Sequence, residues 1–255
     1  MLLIQKTSQK YLFGILVFMG LAAFFLNPSQ AHAATLTVSS GCTLPEAITA
    51  INDAADSGGP GCTASGAYGS GDTITIPSGT ITVSADLPNI TKTVTINGAG
   101  VNESQINLGG NNGFKTDFLS AANTKNITIK NLSITDAAPY AVEADSVATA
   151  ILENLDISDS IAAVKVVNTE KITIKNSIFH DNADPSSTIE GVGAVIGLGS
   201  NTAGKDVEFI ADGLKILDDS GQNTGMYINP QSYVSGSNDT QLLGVSTIKI
   251  HNSVV

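Results

Sequence analysis

The feature that most constrains this chain is a sequence pattern that recurs every 22 to 23 residues. Its clearest copies are centred on Asn131, Asn154 and Asn176, which lie 23 and 22 residues apart. Weaker copies centred on Gly98, Gly213 and Asn252 extend the pattern in both directions. Self-similarity at this period is typical of a solenoid, in which each repeat buries its apolar face against the next repeat.

Within each copy, apolar residues alternate with polar ones. The positions four and two before the central residue, and one and three after it, are apolar except at Ser177 and Ser253. In the copy around Gly98 these positions are Val94, Ile96, Ala99 and Val101. Alternation with a period of two predicts strands, and a central Asn or Gly readily adopts the left-handed conformation of a turn.

The repeat therefore predicts an all-β fold, a right-handed parallel β-helix with coils of roughly 22 residues. Each coil would hold three short strands joined by turns, stacked about 4.8 Å from its neighbours around an aliphatic core. The alternative is a β-sandwich of hairpins. We disfavour it because Asn-Gly hairpin turns are scarce in the sequence and because sandwich strands do not recur at so fixed a period.

Residues 1–33 have the pattern of a secretory signal peptide. Lys6 and Lys10 precede an apolar run over 11–26, and Ala31-His-Ala33 fits the small-residue cleavage pattern. We therefore expect Sec export, cleavage after Ala33 and no membrane span afterwards. The alternative is an uncleaved anchor helix, for which a run of 16 residues is short.

Charge narrows the choice of partners. The chain has 23 acidic residues against 12 lysines and no arginine, a formal net charge of −11 that cleavage would change to −13. Such a balance argues against nucleic acid and against adhesion to an anionic membrane surface.

Residues 34–71 are predicted to form an N-terminal cap with a short helix and a disulfide loop. Thr43 and Glu46 have the spacing of a capping box, and apolar residues follow at helical spacing. Cys42 and Cys62 are the only cysteines, and in an oxidising compartment we expect them to form a disulfide. Without nearby histidines they do not fit a zinc site.

Several blocks in this region resemble one known family. They are Cys42-Thr-Leu-Pro-Glu-Ala-Ile48, Asp72-Thr-Ile-Thr-Ile-Pro-Ser-Gly-Thr80, Leu87-Pro-Asn-Ile90 and Val94-Thr-Ile-Asn-Gly-Ala-Gly100. In this order they resemble the CSLREA-domain family of secreted bacterial proteins with right-handed parallel β-helices. The family's usual Arg after Leu is Pro45 here, and the second motif residue is Thr43. The resemblance implies an extracellular or cell-surface scaffold and no defined reaction.

Residues 72–255 are predicted to form the β-helix coils. The spacing of the repeat stretches after Asn176, so we expect longer loops at 182–206 and 219–240. The second of these holds Tyr227 and Tyr233, the loop aromatics that could stack on a sugar. Because Val255 falls at an inward position, we expect the β-helix to be incomplete at the C-terminus, with a further domain or a partner on its last edge.

An acidic residue follows the central residue by five positions in most copies. These residues are Glu103, Asp136, Asp159, Asp181 and Asp218. Aligned in a column they would repel each other, and a cation such as Ca²⁺ would relieve the repulsion. The alternative, which we favour, is that each Asp serves the local turn. We assign no catalytic, cofactor-binding or metal-binding residue.

The function that these features favour is a non-catalytic scaffold or adhesin-like protein. It would be secreted or exposed at the cell surface, and would contact extracellular polysaccharide or cell-surface components through its side loops. The alternative is a polysaccharide lyase or glycoside hydrolase of the pectin-degrading β-helix type. Its candidate clusters are Asp218-Asp219 and His180-Asp181, but adjacent residues on a strand point to opposite faces, so neither pair is expected to converge.

Overall fold

The structure is a computed structural model that describes residues 33–69, 71–116, 125–182, 208–217 and 248–253, and the backbone alone at 194–199, 224–229 and 247. The predicted signal peptide, apart from Ala33, lies outside these residues. Residues from Ala33 onward belong to one compact unit.

The described elements are one helix and seventeen short strands. The helix is α1 (Leu44–Asp53). The strands are β1 (Thr35–Thr37), β2 (Asp72–Ile76), β3 (Gly79–Thr82), β4 (Val94–Gly98), β5 (Ser104–Asn111), β6 (Phe114–Lys115), β7 (Asn126–Ala137), β8 (Tyr140–Asp145), β9 (Thr149–Ser158), β10 (Ala162–Val167), β11 (Lys171–Lys175), β12 (Ile178–His180), β13 (Ala194–Gly199), β14 (Glu208–Asp212), β15 (Lys215–Leu217), β16 (Thr224–Asn229) and β17 (Thr247–His251).

These strands pair in parallel and form three stacked faces. The first sheet has the order β1-β2-β4-β7-β9-β11-β14-β17. The second sheet contains β3, β5, the C-terminal halves of β7 and β9, and then β12 and β15. The third sheet has the order β6-β8-β10-β13-β16. The protein is thus a right-handed parallel β-helix, as the repeat predicts.

The inward columns of the three regular coils are confirmed. Ile129, Leu152 and Ile174 are consecutive partners in the first sheet, and each is fully buried. Ser177, the polar exception, is also fully buried. Its hydroxyl accepts the N–H of Leu155 at 3.2 Å and donates to the carbonyl of Lys175 at 2.8 Å. A buried serine therefore replaces an apolar residue without an unpaired hydrogen-bonding group.

The corner between the first and second sheets depends on asparagine. Asn131, Asn154 and Asn176 have φ values of 59°, 51° and 47°. The amide of Asn154 donates to Asn131 at 2.9 Å, and that of Asn131 donates to Asn97 at 2.8 Å. Asparagine accepts the left-handed conformation and also binds its counterpart in the next coil, which explains why it marks the repeat.

The prediction for the copy around Gly98 was wrong in its second half. Val94 and Ile96 are buried, but Ala99 is exposed and Val101 is only half-buried. Here the chain makes a loop after β4, and the second-sheet strand of this coil begins only at Ser104. The extra loop residues shift the inward positions out of the repeat's spacing.

The two predicted long loops each contain a strand of the third sheet. Segment 182–206 includes β13, and segment 219–240 includes β16. Glycine-rich and serine-rich flanks suggested a loop, but the backbone of both strands pairs in parallel with the sheet. Apart from Asn182, the rest of both segments lies outside the described residues.

The N-terminal helix adds to the same core as the coils. Leu44, Ile48 and Ile51 are at most 1% exposed. The backbone N–H of Thr43 donates to the carboxylate of Glu46 at 2.7 Å, which confirms the predicted capping contact. The coils were predicted to begin at residue 72. The first sheet begins earlier, because β1 pairs in parallel with β2.

The predicted disulfide is confirmed. Cys42 and Cys62 are bonded, with their Cα atoms 4.7 Å apart, and both residues are buried. The bond ties the start of α1 to the loop that follows the helix. This covalent closure links the two ends of the segment that contains the helix.

Candidate functional site

The outer face of the third sheet carries a column of alternating charge. The register of β6, β8 and β10 places Lys115, Glu143 and Lys165 side by side on successive coils. Lys115 Nζ lies 3.2 Å from Glu143 Oε2, and Lys165 Nζ lies 2.9 Å from Glu143 Oε1. The Glu143 side chain is 9% exposed, whereas the two lysine side chains are 37% and 35% exposed. We call these three residues the charge column.

Lys165 is further fixed by an aromatic ring. Its ammonium lies 4.8 Å from the centre of the Tyr140 ring, within the range of a cation–π contact. Partial burial opposes the charged form, but the hydrogen bond to Glu143 and the charge of Glu143 raise the pKa of Lys165 overall. Lys165 therefore stays a charged ammonium, and its side chain remains partly exposed to solvent.

A second carboxyl lies two residues further along β8 from Glu143. Asp145 is only 3% exposed. One of its oxygens, Oδ1, accepts from the Ser146 hydroxyl at 2.8 Å and from the Asn168 amide at 3.4 Å. Burial raises the pKa of Asp145 and the negative charge of Glu143 adds to the effect, whereas the two hydrogen bonds oppose it. Glu143 is thus paired with two ammonium groups, whereas Asp145, on the same strand, accepts hydrogen bonds from a hydroxyl and an amide.

The second sheet carries another polar cluster, around His180. Nδ1 of His180 lies 2.6 Å from Asp181 Oδ2, and Nε2 lies 3.0 Å from Asp156 Oδ1. The hydrogen bond to Asp181 is the main cause of a raised pKa for His180, the Asp156 charge adds to it, and partial burial opposes it. The His180 side chain is 34% exposed, so this cluster is open to solvent.

The sequence-based expectation that His180 and Asp181 do not converge was wrong. It assumed two adjacent residues of a regular strand. Asp181 instead has a φ of 53° and lies just after β12, where the chain turns out of the second sheet. The left-handed turn brings the carboxylate back towards the imidazole. Asp218 and Asp219, the other predicted pair, lie outside the described residues.

The predicted acidic column is partly a column of turn residues. Asp136, Asp159 and Asp181 each follow residues that are in register, and all three have positive φ. Glu103 does not belong with them, since it precedes β5 and lies in the loop that displaces this coil. Asp218 lies outside the described residues. Aspartate suits this position because its short side chain tolerates the left-handed conformation.

Neither a metal-binding cluster nor a membrane-spanning helix is found among the described residues. Within the described ranges, no three His, Cys, Asp or Glu side chains come together as a group that could hold a metal ion. Calcium binding by the acidic column stays a prediction. No helix among these same residues is long and apolar enough to cross a membrane.

A cavity of about 340 Å³ lies beside the N-terminal helix. It is lined by the segments 38–39, 43–45 and 77–84, which run past the start of α1 and along β3. Its side chains are hydroxylated or apolar, with no titratable group among them. It offers space but none of the charged groups found on the third sheet.

Sequence reasoning missed the charge column. A signal was available, because Lys165 follows Glu143 by 22 residues, one coil of the repeat. Residues one repeat apart stack on neighbouring strands, so opposite charges at that spacing predict a pair. Of the two aromatic candidates, Tyr227 is on β16 of the same sheet, where the backbone alone is described, and Tyr233 lies outside the described residues.

Comparison with known proteins agrees with the fold. Residues 117–235 match the family model of the right handed beta helix region. No curated protein and no solved structure matches the chain. The matched region and the three parallel sheets define the class of protein: a right-handed parallel β-helix.

Proposed function

We propose that the protein is a non-catalytic β-helix scaffold that works outside the cell and contacts carbohydrate. The observation that carries the proposal is the first sheet, in which eight strands from Thr35 to His251 stack in parallel. Such a stack is stiff because each strand is hydrogen-bonded to the next and the inward columns are packed. It suits a protein that presents surfaces to partners rather than one that closes around a substrate.

Three features support an extracellular or cell-surface location. The predicted signal peptide would direct Sec export, and the Cys42–Cys62 disulfide is typical of an oxidising compartment. The resemblance of the N-terminal blocks to the CSLREA-domain family favours the same location. Extracellular polysaccharide and other cell-surface components are the proposed partners.

A second candidate function has its own support. Asp156 and Asp181 lie on opposite sides of one imidazole, on an outer face that is open to solvent. Paired carboxylates serve as acid and base in glycoside hydrolases, and a histidine can move a proton. The cluster therefore favours a polysaccharide lyase or glycoside hydrolase as the alternative.

One experiment separates the two functions. The chain from Ala34 onward would be incubated with pectins and other acidic and neutral polysaccharides, once with Ca²⁺ and once with chelator. Retention on the immobilised glycan and release of unsaturated or reducing ends would both be measured. The scaffold predicts retention without product.

Product formation would contradict the scaffold, and its loss in D156N and D181N would assign the activity to the His180 cluster. The matched control is D212N, which removes a carboxylate from the outer face of the first sheet. No retention of any glycan would contradict the proposed contact with carbohydrate.

A further inference from the structure

We infer that the cleft between the N-terminal cap and β3 binds an extended, uncharged peptide segment of a partner protein, which joins the second sheet as a strand parallel to β3. The cleft is the cavity of about 340 Å³ lined by the segments 38–39, 43–45 and 77–84, and we call it the cap groove. This inference goes beyond the proposed contact with carbohydrate and does not depend on it.

The second sheet begins one strand later than the first. In the first sheet β1, from the cap, lies in front of β2 and pairs with it. In the second sheet, within the described ranges, β3 is the first strand and pairs with β5 alone. After β1 the chain turns and enters α1 at Leu44 instead of forming a strand in front of β3. The cap groove, with the turn and the start of α1 on one side and β3 on the other, occupies the position of the missing strand.

The edge of β3 that faces the groove has unpaired backbone groups. The N–H groups of Gly79 and Val83 donate to carbonyls of the next coil at 2.7 Å and 2.8 Å. Alternate residues of a strand direct their N–H and C=O groups to opposite edges, so those of Thr80 and Thr82 point away from β5. No hydrogen bond to these groups is found among the described residues. Donors and acceptors in this arrangement are what an added peptide strand pairs with.

The floor of the groove is apolar and incompletely covered. The inward column of the second sheet consists of Ile81, Ile106, Ile134, Ile157 and Phe179. All of them are fully buried except the first, Ile81, which is half-buried. In the first sheet the corresponding end is closed, because Leu36 of β1 pairs with Ile74 and both are fully buried. An apolar side chain of an added strand would cover Ile81 in the same way.

The charge around the groove defines the chemistry of the peptide. None of the residues that line it is titratable, so a charged side chain placed inside would lose its hydration without gaining a partner. The central residues of the peptide are therefore uncharged. Exposed acidic residues lie near both ends of β3: the carbonyl of Glu103 accepts from Gly79, and Asp86 follows the lining residue Ser84 by two positions. With the formal net charge of −11, they favour basic residues on either side of the uncharged centre.

A sugar chain fits this groove less well than a peptide. No aromatic ring is among the lining residues. The free backbone groups of Thr80 and Thr82 are two residues apart, about 6.6 Å along the strand, which is the repeat of another strand. A neutral oligosaccharide is therefore the competing ligand in the test.

The probe is the hexapeptide Lys-Leu-Ser-Ile-Thr-Lys, blocked at both ends, whose four central residues copy the second-sheet segment 132–135. Its binding to the chain from Ala34 onward would be measured by fluorescence anisotropy. We expect saturable binding, at least tenfold tighter than that of a peptide with aspartate in place of isoleucine and that of cellohexaose. Absence of saturable binding would overturn the inference. Equal binding of the aspartate peptide would overturn the apolar contact, and equal binding of cellohexaose would overturn a peptide as the ligand.

Two methylated peptides test the backbone pairing. In a strand parallel to β3, the N–H groups of the inward leucine and isoleucine point to β3, and those of serine and threonine point away. Methylation of the first two nitrogens should weaken binding at least tenfold, whereas methylation of the other two should leave it within threefold. Equal binding by the two methylated peptides would overturn the pairing with β3.

Matched variants of the protein locate the site. T82P removes the N–H that faces the groove but no hydrogen bond to β5, and T82V keeps that N–H. We expect at least tenfold weaker binding by T82P and a change within twofold in T82V. S78F, which fills the groove from an exposed lining residue, should also bind at least tenfold more weakly, and S78A should not. Unchanged binding by T82P and S78F would overturn the site. Far-UV circular dichroism and thermal melting would confirm that each variant is folded.

Hydrogen exchange reports on the edge itself. In the protein alone, the amides of Thr80 and Thr82 should exchange at least tenfold faster than the amide of Val83, which is bonded to the next coil. The hexapeptide at saturation should cover the edge and slow the exchange of both threonine amides severalfold. Slow exchange without peptide, together with self-association that T82P abolishes, would assign the groove to a second copy of the chain and overturn a separate partner. Unchanged exchange of both amides at saturation would overturn the site.

Discussion

The outer faces of the first and third sheets are built from the same alternating pattern, but their carboxylates differ in how deeply they are buried. On the first sheet, Lys130, Glu153, Lys175 and Asp212 follow one another in register with alternating sign, all half-buried or exposed. On the third sheet, the charge column also alternates in sign, but Glu143 and its neighbour Asp145 are buried.

This difference shows what a repeat pattern determines and what it leaves open. Alternation decides which side of a strand a residue faces, because successive side chains point to opposite faces. It does not decide whether the outward face is open to water. A charged group that is exposed to water interacts weakly with its neighbours, whereas a buried one, such as Glu143, must be paired. The third sheet therefore holds the stronger candidate site.

The largest expected effect concerns the core that both sheets share. Phe179 is fully buried, and F179A should lower the free energy of unfolding by about 3–5 kcal/mol because it leaves a cavity. K175A, on the open face of the first sheet, should change it by less than about 0.5 kcal/mol. Urea denaturation measures both. A similar loss in the two variants would contradict the assignment of inward and outward positions.

The next effect concerns the N-terminal cap. Replacing both cysteines, in C42S/C62S, should lower the free energy of unfolding by about 3 kcal/mol, because the open loop has more freedom in the unfolded chain. Chemical denaturation of the two proteins gives the difference. Equal stability would mean that the packing of α1 alone holds the cap in place.

A pair of glutamates compares the two faces directly. E143Q should lower the free energy of unfolding by about 1–3 kcal/mol, because Glu143 is buried between two ammonium groups, although their exposure weakens the effect. E153Q makes the same change on the first sheet and should cost less than about 0.5 kcal/mol. Thermal or urea denaturation would measure both. Equal effects would remove the distinction between the faces.

The smallest effect depends on pH and belongs to the second sheet. Since the pKa of His180 is raised in the folded protein, its contribution to stability is fully present below about pH 6.5, the value for an unperturbed histidine. It is lost as the pH rises through the folded value. The unchanged protein should therefore exceed H180Q in melting temperature by more at pH 5.5 than at pH 9.

The control for this prediction is D181N, which removes the main cause of the raised pKa. It should reduce the pH dependence of the melting temperature towards that of H180Q. If the difference between the unchanged protein and H180Q is the same at both pH values, His180 is not held as a cation by its two carboxylates.

The fold could be predicted because the residues that mark it meet conformational requirements of their own short segment of chain. Asn131 and its counterparts mark a corner because asparagine accepts positive φ, and this requirement recurs in each coil. The prediction failed at Ala99, where a loop breaks the spacing, and at the segment containing β13, whose glycines suggested a loop. At β13 the strand forms because its backbone is hydrogen-bonded to β10 of the neighbouring coil. The local sequence pattern gives no sign of that pairing.

The candidate site was harder to predict than the fold. Asp181 was considered with His180, but the contact depends on a turn that strand geometry alone does not describe. Asp145 gave no signal at all, since its burial depends on the tertiary structure around the third sheet. Only the spacing of 22 residues between Glu143 and Lys165 was visible in advance.

The most direct test of the difference between the two faces is the rate at which a single introduced cysteine reacts with a thiol reagent. K175C places the thiol on the outer face of the first sheet, and D145C places it on the outer face of the third, with the native disulfide intact in both. Denatured samples of both variants serve as controls and should react equally fast. Our account predicts that, in the folded protein, K175C reacts like an exposed thiol and D145C at least tenfold more slowly. Equal rates would contradict it.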